Sequence, residues 1–94
     1  MPIVFEIEDD GKTKSLNYNE NITVEDFIKD YLKENSMFVS TSTKDYSFML
    51  GSKLLNAERF LNKQLKQVIQ TGSSVTLIRK NDLHYSLINT IPLL

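Results

Sequence analysis

TVEDFIKDYLKEN, Thr23 to Asn35, carries the clearest periodicity in this chain. Val24, Phe27, Ile28, Tyr31 and Leu32 recur at the spacing that lines apolar side chains along one stripe of a helix. Asp26, Lys29, Asp30, Lys33 and Glu34 fall mostly on the other face. Thr23 is the expected N-cap, and Asp26 three residues on makes a capping box in which Asp stands for Glu or Gln. A stripe with two aromatic side chains needs a surface to cover it. The two ends of the chain are expected to supply that surface as a curled sheet.

Toward the N-terminus, Ile3, Phe5 and Ile7 alternate with Val4, Glu6 and Glu8, the period of a strand with one buried face. Asp9-Asp10-Gly11 reads as a hairpin turn, so Thr13 to Tyr18 should return antiparallel with Leu16 and Tyr18 inward. Toward the C-terminus, Ser36 to Asp45 reads as a Ser/Thr-rich loop pinned to the core by Met37-Phe38-Val39. Tyr46 to Leu50 reads as a third strand, Gly51-Ser52 as a turn, and Lys53-Leu54-Leu55 as a short fourth strand. Phe60, Leu61, Leu65, Val68 and Ile69 suit a short second helix that Gly72 ends. Val75 and Leu77 alternate with Thr76 and Ile78 as the last strand, with Arg79 next in the inward series. First and last strands that both need burial, with an amphipathic helix between them, are satisfied side by side in mid-sheet beneath that helix. The expected fold is α+β, a β-grasp with a mixed four- to five-stranded sheet on one main helix and a short second helix before the last strand. Residues 1–80 form this domain and residues 81–94 an apolar tail.

Ninety-four residues, 40% of them hydrophobic, suffice for one core. The absence of cysteine removes disulfides, thiolate nucleophiles and Cys-based metal sites. The acidic opening MPIVFEIEDD reads as a strand rather than a signal or transit peptide. No apolar run approaches the roughly 18–20 residues of a membrane span. A cytoplasmic or nuclear address is expected. Net charge is −1, yet residues 1–34 carry nine acids against four lysines and residues 46–80 carry six bases against Glu58 alone. A basic half gathered on one face would favour an acidic partner.

In order and spacing, PIVFEIEDDGKTKSL, TVEDFIKDYL, FMLGSKLL and SSVTLIRK resemble the ubiquitin-like family over residues 1–80. Two departures bear on function. Conjugated modifiers of that family end in glycine just past the last strand, whereas glycine here stands only at 11, 51 and 72. Trimming to Gly72 would delete the last strand, so the expectation is a non-conjugating member without a C-terminal diglycine. The family's proline-containing link between helix and third strand is replaced by Ser36 to Asp45.

The resemblance implies partner binding on the outer sheet face. Alternation turns Met49, Thr76 and Ile78 outward, with Lys53, Arg79 and Lys80 as an expected basic rim and Val4 nearby. An apolar centre with a basic rim suits a helix or strand with acidic flanks. The tail NDLHYSLINTIPLL is too apolar to be a solvated end. A helical reading places Leu83, Leu87, Ile88 and Ile91 on one face, to cover the tail's own domain, form a homodimer, meet a partner or lead to a further domain.

Nothing here reads as catalysis: His84 is the only histidine, no acid–Ser–His set surrounds it, and no metal-ligand spacing or phosphate-binding glycine loop occurs. The expected function is a non-catalytic, cofactor-free protein-interaction module. Its partner would be another protein, one of the ubiquitin–proteasome or a ubiquitin-like pathway being the candidate the resemblance suggests. The alternatives are a nucleic-acid-binding β-grasp domain, which the net charge and the lack of an exposed aromatic pair disfavour, and a domain that self-associates through its tail.

Overall fold

The alternation at the N-terminus forms β1 (Pro2–Asp9), paired residue for residue with β2 (Lys12–Asn19) from Pro2 opposite Asn19 to Asp9 opposite Lys12. The turn between them is Asp10-Gly11 alone, both at positive φ (55° and 77°), the twist a two-residue hairpin needs. This corrects the placement of Asp9 in the turn, since Asp9 is the last inward residue of β1 and is buried. The computed structural model describes residues 1–80, so Leu83, His84, Leu87, Ile88 and Ile91 lie outside the described residues.

Helix α1 (Val24–Glu34) begins where Thr23 accepts a hydrogen bond from the Asp26 backbone N–H (3.1 Å), and its buried residues are the five of the stripe. At its other end Ser36 takes a left-handed conformation (φ 56°). The Ser36 N–H then reaches the Lys33 carbonyl (3.1 Å) and the Met37 N–H that of Leu32 (2.8 Å), the Schellman pattern. That pattern turns Met37 back onto the core and leaves Phe38 and Val39 outside, at 67% and 45% exposure. Only Met37 of the expected apolar island therefore pins the loop. Polar groups hold the rest, with the Tyr46 hydroxyl donating to the Phe38 carbonyl (2.6 Å) and buried Asn56 donating to the carbonyls of Thr41 and Tyr46. A left-handed L-residue costs roughly 1–2 kcal/mol that glycine avoids, part of which glycine's looser unfolded chain returns. Ser36→Gly should therefore raise stability by about 0.5–1 kcal/mol in urea unfolding, and a loss of stability would contradict this cap.

The second half supplies β3 (Tyr46–Leu50), β4 (Lys53–Leu54), the single turns α2 (Glu58–Leu61) and α3 (Leu65–Val68), and β5 (Ser74–Arg79). The expected second helix is thus split in two, because Gln64 and Gln67 form a reciprocal capping box that starts α3 afresh. Among the described residues five strands form one mixed sheet in the order β2-β1-β5-β3-β4. β5 runs parallel to β1 and antiparallel to β3, so the two ends of the described chain meet in mid-sheet. Helix α1 crosses the face lined by Ile3, Phe5, Ile7, Phe48, Val75 and Leu77, the expected β-grasp arrangement.

Candidate protein-docking face

Pairing fixes what the opposite, outer face presents. Thr76 of β5 stands opposite Met49 of β3, which stands opposite Leu54 of β4; on the other side Thr76 adjoins Glu8 of β1. Ile78, opposite Ser47, is the diagonal neighbour of Met49, roughly 7–8 Å away by sheet geometry. Ile78 is 49% exposed, Met49, Leu54 and Thr76 are half-buried, and Glu6 and Glu8 are exposed on the β1 flank. The structure therefore brings Met49, Thr76 and Ile78 together. It adds Leu54, which alternation from Met49 across the Gly51-Ser52 turn would have supplied.

Three expected members lie elsewhere. Val4 is exposed on the outer face, but Glu6 opposite Ser74 places it level with Gly72, two residues before β5 begins, where its carbonyl accepts from the Gly72 N–H (2.9 Å). Six residues of extended chain, about 20 Å, separate that level from Ile78. Lys53 pairs with inward-facing Leu50, and its ammonium lies 5.5 Å above the ring of half-buried Phe60, on which the Arg59 guanidinium also stacks at 4.8 Å. Arg79 continues the inward series and binds Asp9. The expected basic rim reduces to Lys80, whose Nζ donates to the Thr43 carbonyl (2.7 Å), and the opposite flank is acidic.

Asp9 closes one end of the core. Its Oδ1 accepts from Arg79 Nε (2.8 Å), and its Oδ2 from Arg79 Nη2 (3.0 Å) and the Tyr31 hydroxyl (2.6 Å). Burial alone would raise the Asp9 pKa, but the hydrogen bonds from Arg79 and Tyr31 and the charges of Arg79 and Lys14 outweigh it and hold the carboxyl below its ordinary value. Burial pushes the Tyr31 phenol up, and the bond to Asp9 adds to this. Two residues thus clamp the carboxylate through three hydrogen bonds at this end of the core. Among the described residues no group of three His, Cys, Asp or Glu side chains could hold a metal ion, and no helix is long and apolar enough to cross a membrane.

No model of a known protein family matches the chain, and no curated protein sequence matches it. Solved structures do. The ubiquitin-like domain of the Arabidopsis thaliana protein At2g32350 superposes with a TM-score of 0.65 at 15% identity, over 84% of this chain and 78% of that one. The chain has the ubiquitin-like β-grasp fold. A chain of the pParkin–pUb–UbcH7 complex matches at 0.63 and 12% identity over 83% of this chain, and ATBAG1 in complex with HSP70 at 0.60 and 12% identity over 96%. This chain spans only 23% and 49% of those two, so within them the ubiquitin-like fold is one part of a longer protein. At such identities the likeness is one of fold, and the docking face rests on the residues of this chain.

Proposed function

We propose that this ubiquitin-like domain is a non-catalytic interaction module that docks a partner protein on the outer sheet face around Met49, Leu54, Thr76 and Ile78. The observation that carries the reading is the exposure of Ile78 beside Met49 and Leu54, an apolar centre on a face whose β1 and β5 flanks are otherwise mostly polar. Matching folds occur in complexes with other proteins, pUb–UbcH7 and HSP70, which favours a protein partner, with the ubiquitin pathway and the chaperone machinery as the first places to look. The partner suited to this face sets an apolar side chain on Met49 and Ile78 and a cation toward Glu6 and Glu8, the reverse of the acidic flanks expected from the sequence. The same acidic flank weighs against nucleic acid. In this proposal the domain acts in the cytoplasm or nucleus as a binding module rather than as a conjugated modifier.

Met49→Glu and Ile78→Glu should each abolish capture of partner proteins from cell extract while thermal unfolding shifts by no more than a surface change produces, about 0.5 kcal/mol for exposed Ile78. Phe38→Glu, on an exposed residue outside the proposed face, should leave capture intact. Identical capture by the wild type and both sheet variants would overturn the reading. Ile78→Glu keeps the test decisive should a charge at half-buried Met49 prove too costly.

A further inference from the structure

The ring of Phe60 holds two cations, the Lys53 ammonium at 5.5 Å and the Arg59 guanidinium at 4.8 Å from its centroid. The two charges therefore stand within roughly 10 Å of each other, a distance at which like charges repel. Among the described residues no carboxylate comes within ion-pair distance of either. A ring face attracts a cation but accepts none of the charge-assisted hydrogen bonds that its N–H groups give to an anion. Lys53 lies on the side of β4 away from the outer sheet face, since it pairs with inward-facing Leu50 while Leu54 faces outward with Met49.

The frame beneath this corner is fixed. Buried Asn56 accepts from the Phe48 N–H at its Oδ1 (3.1 Å) and donates from its Nδ2 to the Tyr46 carbonyl (2.9 Å), which ties the link between β4 and α2 to β3. The Leu55 N–H donates to the Phe48 carbonyl (2.8 Å) and the Phe60 N–H to that of Ala57 (2.9 Å). Phe60 itself packs against the core. Long cationic side chains give up rotamer freedom when they take a ligand, and stacking on a fixed ring has already restricted both.

We propose that the corner between β4 and α2 binds an acidic peptide segment, with one carboxylate on the Arg59 guanidinium and a second on the Lys53 ammonium. Charge complementarity commits the occupant: a basic segment would meet two like charges, and a neutral one would leave both cations without a counter-charge. A nucleic-acid backbone suits the corner less, because two cations neutralise only about two phosphates and the one ring here is already stacked by them. The site is separate from the outer face and does not depend on docking there.

The test uses the 94-residue chain and the acetylated, amidated peptide Glu-Asp-Leu-Asp-Glu. Titration at about 20 mM salt should shift the amide resonances of Lys53, Arg59 and Phe60 and the Arg59 Nε–H resonance to saturation, and about 300 mM salt should weaken binding. Lys53→Gln/Arg59→Gln alters two side chains outside the core and should weaken binding by about tenfold or more. Lys12→Gln/Lys66→Gln removes the same charge elsewhere and should change it by less than about twofold. Phe60→Leu keeps both charges but removes the ring that holds them, and should weaken binding by about threefold. Ile78→Ala trims the outer face without altering charge and should leave peptide binding unchanged, so failure there and failure here are read separately. The uncharged peptide Gln-Asn-Leu-Asn-Gln should not bind. The proposal fails if the corner resonances do not respond, if the Lys53/Arg59 variant binds as tightly as the wild type, if Ile78→Ala weakens binding equally, or if oligothymidylate of equal charge binds the corner more tightly than the peptide.

Discussion

Replacing Phe27 with alanine will lower the free energy of unfolding by about 4 kcal/mol, since a fully buried phenylalanine costs roughly 3–5 kcal/mol when truncated. Phe27 has no exposed surface, and its ring meets Phe5 at 5.4 Å, Tyr18 at 5.1 Å and Phe48 at 6.1 Å between centroids, each near edge-to-face. These rings come from β1, β2 and β3, so one side chain of α1 joins both halves of the sheet to the helix. Such pairs add roughly 0.5–1.5 kcal/mol beyond buried area, and surrounding strands locked by their own ladders cannot collapse into the void. Single domains are stable by about 5–15 kcal/mol, so the variant will sit near the unfolding threshold, with a melting temperature lower by roughly 15–30 °C. Phe38→Ala removes an equal ring that is 67% exposed and should stay within about 0.5 kcal/mol of the wild type. Equal losses for the two variants in urea unfolding would contradict the assignment of Phe27 to the centre of the core.

Local periodicity makes much of this fold legible. The five stripe residues of α1, the Thr23 cap, the alternation of β1 and β5 and the Gly51 turn all follow from spacings of two or of three and four residues, and all stand as expected in the structure. Phe38 departs from expectation because an apolar triplet does not say which residue a left-handed Ser36 will turn inward. The docking face is half legible: alternation along β3 and β5 brings Met49, Thr76 and Ile78 to one side. What surrounds them depends on which strand lies next to which, and at what register. Glu6 and Glu8 flank the face because β1 runs parallel to β5, and Val4 is carried away by the same register. Arg79 of the basic half pairs with Asp9 of the acidic half, so the two charged stretches meet across the fold. That pair is itself legible. Asp9 follows Ile3, Phe5 and Ile7, and Arg79 follows Val75 and Leu77, each at the next inward step, but the Asp-Asp-Gly turn signal draws Asp9 out of the strand.

Asp9→Asn will cost about 3 kcal/mol at pH 7, and the cost will vanish in acid, because loss of one member of a buried ion pair typically costs 3–5 kcal/mol while the other charge stays uncompensated. The Asp9 side chain is 1% exposed and its partner Arg79 28%. Arg79 keeps some access to water, so the lower end applies. The amide also places an N–H where Tyr31 and Arg79 already donate. The sign of the pH dependence follows from the direction of the shift. A carboxyl held below its ordinary value of 3.8 stabilises the fold at pH above that value, and the contribution is lost as pH falls through the folded-state value. The wild type will therefore lose stability at pH below about 4 while Asp9→Asn loses less, and the two will converge. Tyr31 acts on the alkaline side: its phenol is raised above the ordinary 10.0, so its contribution is present below pH 10 and lost above it, a limb that Tyr31→Phe should flatten. Replacing the trio together, as Asp9→Leu, Arg79→Met and Tyr31→Phe, removes the uncompensated charge as well as the pair and should fall within about 1 kcal/mol of the wild type at pH 7. Urea unfolding across roughly pH 2–11 checks all three variants. A cost for Asp9→Asn that is small at pH 7, or that persists undiminished at about pH 3, would show that the carboxylate clamp contributes no charge-dependent stability to this end of the core.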